Sequence, residues 1–350
     1  MSSFGNRKFI KPVFILSILG VILLAITSLF LGTANIRFPD VFRILLSYLP
    51  GLKGRIPLDG ISDSTISIVI KLRLPRVILA LLSGAGLAAV GSTMQSLFRN
   101  PMAEPGLLGI SSGAGLGATI AIVIGFGDSI FGLGTTAIAA FIGALVTVLI
   151  VYNISRTGSR LSQTVLILAG IAISFMNSAV IQLLMIFRRD RMDYIMMWTM
   201  GSFSTAGWNK IFILLPFLVI GLTLIFIHTR HLNVISTGEE TAKSLGIEVE
   251  RTKKILLAVC SVVTAATVAT SGIIGFVGLI IPHVLRLLVG SDQKSLMPFS
   301  VVGGAAFLVI CDTLARIVAP PAEIPVGAIT AVFGSPFFIA LLIRSKRSVM

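Results

Sequence analysis

Nine long tracts of this chain carry no charged residue: Pro12 to Ile36, Val77 to Phe98, Pro105 to Gly127, Ser129 to Ser155, Leu161 to Phe187, Ile211 to Thr229, Ile255 to Leu285, Ser295 to Cys311 and Ile324 to Ile343. A helix of ~20 apolar residues crosses the ~30 Å hydrocarbon core of a bilayer, where a charge costs at least ~2.5 kcal/mol and water cannot satisfy open backbone groups. The pattern predicts an all-α, multi-pass protein of the cell membrane. The stretches between tracts are too short to fold alone, so residues 1–350 read as a single transmembrane domain. A cleavable signal peptide is the other reading of the N-terminus, but Val13 to Leu31 is longer than the usual apolar core of one. Cys260 and Cys311 both fall inside tracts, where they read as small packing residues.

The Ile255 to Leu285 tract is 31 residues, about 46 Å as straight helix, which exceeds one ordinary span. Gly272, Gly275 and Gly278 offer a break, predicting one helix ending near Ser271 and another from about Phe276 to Val289. That makes about ten spans and puts both termini on one side. Arg7, Lys8 and Lys11 at one end and Arg344, Lys346 and Arg347 at the other place that side in the cytoplasm by the positive-inside rule. The opposite face then carries 12 basic and seven acidic residues, a net charge of +5. Arg37, Arg43, Lys53, Arg55, Lys71, Arg73 and Arg76 lie in or beside one outer loop. Such a surface favours an acidic partner or ligand, or else lipid headgroups.

Small residues recur at helical spacing: Gly84, Gly86, Ala88 and Gly91, then Gly113, Gly115 and Gly117. In lipid they let helix backbones approach closely. The second group sits inside an apolar span and is no nucleotide fingerprint, and the chain has no GxxxxGK[ST] phosphate loop. Arg99 to Gly106, with two prolines and Glu104, reads as a short, stiff inner turn. Residues 230–254 form the longest inner loop. There Thr237 and Glu240 suggest a capping box, Glu239 and Lys243 an i,i+4 pair, Gly246 a helix end, and Ala242 with Leu245 a shared apolar face. A helix of that kind can take force from a soluble partner or lie on the membrane surface. Ser174, Ser178 and Gln182, with Asn177 nearby, mark a polar face that lines a pathway or bonds to other helices. Asp312 and Arg316 are spaced to neutralise one another. No span holds an isolated carboxylate or lysine, and the three histidines, scattered as they are, suggest no metal site.

Several motifs together resemble the permease subunits of ATP-binding-cassette importers for iron(III)-siderophores, haem and vitamin B12. These are Leu72-Arg-Leu-Pro-Arg76, Phe98-Arg-Asn-Pro-Met-Ala-Glu-Pro-Gly-Leu-Leu-Gly-Ile-Ser-Ser-Gly113, Trp198-Thr-Met-Gly-Ser202, Gly238-Glu-Glu-Thr-Ala-Lys-Ser-Leu-Gly246, Gly275-Phe-Val-Gly-Leu-Ile-Ile-Pro-His283, Asp312-Thr-Leu-Ala-Arg316 and Pro321-Ala-Glu-Ile-Pro-Val-Gly327. The resemblance runs from the second span to the C-terminus. It implies the type II importer fold with ten helices, a second permease copy or paralogue completing a dimer, an ATPase dimer below, and an extracytoplasmic binding protein or lipoprotein above. ATP would be bound by the partner, so the chain itself would be no enzyme and hold no cofactor; membrane lipid is a partner and nucleic acid is not. By position it implies Arg73, Arg76 and Arg316 as docking residues for the binding protein. It makes Gly238, Glu239, Glu240, Ala242, Leu245 and Gly246 the ATPase-coupling helix, and Asn100, Met102, Gln163 and Thr164 the cytoplasmic gate. Two departures, Ile273 where proline is frequent and Gln293 where histidine is common, are expected to lie away from these sites.

The expected cargo is an iron-chelate, foremost a ferric siderophore, with vitamin B12 and haem as alternatives. A secondary transporter driven by an ion gradient is the competing class. It calls for an intramembrane carboxylate or a discontinuous helix with an ion site.

Overall fold

A computed structural model describes residues 7–32, 36–48, 56–125, 134–158 and 160–347; Lys53, Arg55 and Asp128 of the outer charge count lie outside them. Among the described residues the helices are α1 (Arg7–Phe30), α2 (Phe38–Ser47), α3 (Asp63–Ser67), α4 (Leu74–Leu97), α5 (Ile110–Ile124), α6 (Thr135–Ser155), α7 (Gln163–Phe187), α8 (Met192–Thr199), α9 (Trp208–Ile227), α10 (Thr229–Thr237), α11 (Glu239–Ser244), α12 (Val249–Ser271), α13 (Val277–Val289), α14 (Gln293–Ile317) and α15 (Val326–Arg347). A π-helical turn, Ile68–Arg73, joins α3 to α4. Two-residue strands β1 (Arg156–Thr157) and β2 (Arg160–Leu161) pair antiparallel between α6 and α7.

Among the described residues seven helical stretches are long and apolar enough to span a bilayer: α1, α3 running into α4, α6, α7, α9, α12 and α14. Three shorter apolar helices, α5, α13 and α15, complete the ten expected spans. Direction follows from the contacts. Phe14 packs on Phe299 with ring centroids 5.2 Å apart, and Ser28 bonds Thr313 at 2.8 Å, so α1 and α14 run parallel. The Ile324 N–H then bonds back to the Ala315 carbonyl and α15 returns antiparallel. The start of α1 and the end of α15 therefore share one face, the inner face by charge.

Helix α4 is the axis of the bundle and is buried along most of its length. Its small residues do this. A Cβ added at Gly84 would strike the Gly304 carbonyl of α14, and one at Gly91 the Gly278 carbonyl of α13. Gly113 and Gly117 of α5 seat α6 in the same way, at Gly143 and Ala139. Hydrophobicity gives little drive for helix association in lipid, so these backbone approaches and their dispersion contacts hold the bundle together.

The Ile255 to Leu285 tract breaks where its glycines predict. Helix α12 ends at Ser271, Gly272 takes φ 71°, and Phe276 precedes α13 at φ 68°, a left-handed conformation seldom adopted by an aromatic residue. The exposed carbonyls of the break are taken up by neighbours: Ser271 accepts from the Ser202 N–H at 2.8 Å. Glu104 reaches the Phe276 N–H, so the inner turn that carries it also caps the half-length α13. The segment read from sequence as a plain turn is thus a strut between α4 and α13.

Replacing Gly91 with Leu must displace backbone rather than a side chain, and should cost about 1–3 kcal/mol or more. Gly20→Leu lies on the open flank of α1, where a Cβ would meet nothing within 4 Å. It should leave stability within about 0.5 kcal/mol. Thermal unfolding of the detergent-solubilised protein separates the two.

Candidate functional site

Polar chemistry concentrates at the two ends of the bundle. At the outer end, α1 stops at Phe30 and leaves its last carbonyls without helical partners. Arg73 Nη1 donates to the Leu29 carbonyl at 2.7 Å and to that of Phe30 at 3.0 Å. Arg316 donates to the Leu31 carbonyl at 2.8 Å and to Ser28 Oγ at 2.6 Å. Two guanidinium groups at a helix C-terminus also complement its dipole. Arg76 donates through Nε to both Asp312 carboxylate oxygens, at 2.9 and 3.1 Å, and through Nη1 to Glu323 at 2.8 Å. Asp312 is shared, because Arg316 lies 3.2 Å from its second oxygen. The simple i,i+4 pair expected from sequence is therefore part of a five-residue cluster of three arginines and two acids, tying α1, α4, α14 and the entry to α15.

All three arginines expected to dock the binding protein are buried, with exposures of 6, 8 and 4% for Arg73, Arg76 and Arg316. They nevertheless line, with Gly32, Leu72 and Glu323, a recess of about 250 Å³ on the outer face. The remaining Arg76 nitrogen, Nη2, is buried and has no hydrogen-bond partner among the described residues. A lone buried donor of that kind carries a desolvation cost until an acceptor arrives. Trp208 braces the same rim by donating its indole N–H to the Ile70 carbonyl of the π-helical turn at 3.1 Å. Farther along the outer side, an exposed Arg188 hydrogen-bonds Asp190 and holds its carboxyl below the usual range.

At the inner end, residues 230–254 fold as α10 and α11 around a small core of Ile235, Ala242 and Val249. Three local expectations change. The residue before α11 is Gly238 at φ 150°, and Thr237 bonds back to the Val234 carbonyl instead of forming a capping box with Glu240. Glu239 turns inward to Lys253 at 2.7 Å rather than outward to Lys243. Ala242 is fully buried while Leu245 is 65% exposed, so the two do not share a face. The cause is the mini-core, which fixes the rotation of a two-turn helix more strongly than local pairing does. Gly246 ends the helix at φ 81°, as expected, and Glu240 is exposed beside Lys243 and Leu245.

The four gate positions divide. Asn100 Oδ1 accepts the Met102 N–H at 2.9 Å, building a tight turn under α4, with both side chains half-buried. Gln163 opens α7 and donates to Glu239 Oε1 at 3.3 Å, while Thr164 is exposed. Gln293 bonds none of the expected site residues: its N–H bonds Asn233 of α10 at 2.7 Å and its side chain bonds Ser92 and Ser96 of α4. The polar face of α7 splits: Ser174 and Asn177 bond Ser112 of α5, whereas Ser178 and Gln182 are exposed. Sequence alone does not single out Lys253, Glu323, Ser28 or Asn233. Glu323 belongs to the Pro321 to Gly327 motif, but a lysine at a helix start and a serine at a helix end carry no signal until their partners are known.

The multi-pass bundle thus carries a charged recess at one end and, at the other, a short exposed helix seated on its own small core. The chain belongs to the FecCD transport family, whose model matches residues 20–344. It is 43% identical over 283 residues to the cobalamin import system permease protein BtuC of Halobacterium salinarum, covering 81% of this chain and 75% of that protein. It is 38% identical over 336 residues to the hemin transport system permease protein HmuU of Yersinia pestis, covering 94% and 96% respectively. A solved structure described as an inward-facing conformation of a putative metal-chelate type ABC transporter superposes with a TM-score of 0.81 at 30% identity, over 95% of this chain and 99% of that one. The protein is thus an ABC importer permease and an integral membrane protein.

Asp312→Leu leaves the Arg76 and Arg316 charges buried without their shared counter-ion. A loss of roughly 3–5 kcal/mol is expected, against about 1 kcal/mol or less for Glu323→Gln at the rim. Denaturation of the two variants in detergent checks the ordering.

Proposed function

We propose that this permease carries an iron-chelate, foremost a ferric siderophore, inward across the cell membrane by alternating access, powered by a partner ATPase dimer. A second permease copy or paralogue completes the pathway. The neighbouring metal-chelate type transporter supports the cargo class. The identity to BtuC and HmuU favours cobalamin and haem as second readings. Uptake by proteoliposomes containing the permease, its ATPase and its binding protein tests this, with a radiolabelled ferric hydroxamate, cyanocobalamin and hemin as competing probes. Preference for the hydroxamate is expected. Saturable uptake of cobalamin or hemin alone overturns the cargo assignment.

The observation that carries the outer docking reading is the gathering of Arg73, Arg76 and Arg316 around one outer recess, with Arg76 Nη2 left without a partner among the described residues. Carboxylates on an extracytoplasmic binding protein or lipoprotein would complete the pairing that Asp312 and Glu323 begin, since the cluster retains a charge of +1. Reversing Arg76 to Glu would set it against Asp312 and damage the fold, so the informative variant is Arg73→Gln at the recess wall. Binding-protein affinity should fall about tenfold while the ATPase still co-purifies with the variant; unchanged affinity would remove Arg73 from the docking surface.

On the inner side, exposed Glu240, Leu245 and Gly246, with Gly238, Glu239 and buried Ala242 shaping them, form the surface that would seat in the ATPase. Asn100, Met102, Gln163 and Thr164 would border the inner mouth. Leu245→Asp should release the ATPase on co-purification while the permease remains folded; an intact complex would remove Leu245 from the interface.

A further inference from the structure

Lys253 lies in the first turns of α12, is 3% exposed, and meets two carboxylates. Its Nζ is 2.7 Å from Glu239 Oε1 of α11 and 3.8 Å from Glu250 Oε1 of its own helix. Each of those acids has a second attachment, and both lead to the same place. Glu239 Oε1 accepts from Gln163 Nε2 at 3.3 Å, and Glu250 Oε2 accepts the Leu161 N–H at 3.3 Å. Leu161 and Gln163 flank the entry to α7. One buried ammonium thus holds the exposed helix α11 and the start of α7 through a pair of carboxylates. A buried charge deprived of its counter-ion is far more costly than a pair carried along intact. When α11 shifts, the lowest-energy response is for Lys253, Glu239 and the α7 entry to move together.

We propose that Lys253 is a positioning residue that transmits displacement of α11 to the first turn of α7, acting through Glu239 and Gln163 rather than by touching the ATPase or the cargo. The proposal rests on the reading of α11 as the ATPase seat and of the α7 entry as the inner mouth. Burial excludes Lys253 from the docking surface itself, whereas Glu240, Lys243 and Leu245 of the α11 segment are exposed. A purely structural lysine would serve stability alone; a transmitting one also sets how the α7 entry responds to nucleotide.

The test uses the permease–ATPase complex with Thr164→Cys as reporter, Cys260 and Cys311 being buried. The rate of labelling by a membrane-impermeant maleimide is compared without nucleotide and with ATP plus vanadate. In the parent complex the rate should differ about fivefold or more between states, the lower end of ordinary coupling. Lys253→Met should leave the ATPase bound and hydrolysis within about twofold while collapsing that difference to near unity, and Lys253→Arg should restore most of it. Gln163→Leu combined with Glu250→Ala, which removes both attachments at the α7 entry, should reproduce the collapse and serves if Lys253→Met fails to fold. A nucleotide-dependent difference that persists in either variant overturns the link, as does loss of the ATPase from a folded Lys253→Met permease. No difference in the parent overturns the inner-mouth reading and this inference with it.

Discussion

Without a hydrophobic drive between helices, the bundle depends on how closely α4 lets its neighbours approach. Glycines at 84 and 91 place the α4 backbone directly against α14 and α13. The functional ends are consequences of that contact. Once α14 is seated at Gly304, Asp312 lies beside Arg76 and Arg316 beside the end of α1. The contact at Gly278 likewise brings the start of α13 to Glu104 in the strut below α4.

The two ends use charge differently. The outer cluster buries three guanidinium groups and sets them against two acids and the loose carbonyls of α1, which costs desolvation and is offset by dense hydrogen bonding. One buried Arg76 nitrogen has no partner among the described residues, and Arg76 itself borders the outer recess. The inner end keeps the Lys253 ion pairs underneath α11 and leaves Glu240, Lys243 and Leu245 exposed.

Expectations of the competing ion-driven class are half met. There is a discontinuity between α12 and α13, but its polar backbone is occupied by Ser202 and Glu104 of the same chain, and among the described residues no group of three or more acidic, cysteine or histidine side chains gathers there. The break serves packing: it lets Gly201 and Gly272 approach one another and lets Gly327 of α15 close over Ile273.

The charge-free tracts, with the length of the Ile255 to Leu285 tract and its glycines, determined the ten spans, the shared side of the termini and the break after Ser271, because the hydrocarbon layer penalises each exposed polar group whatever the neighbours are. The motifs made the outer arginines and the 238–246 segment legible as elements, since Arg73, Arg76 and Arg316 do gather at one recess and Glu239–Ser244 does form a helix. Tertiary structure alone decided their partners. Glu239 chose Lys253, 14 residues away, over Lys243 on its own helix because burial makes the first pairing stronger. Arg76 found Asp312 across 236 residues because two glycines brought the helices together. Local spacing reports which residues share a turn; which charges lose their water is settled only when helices pack.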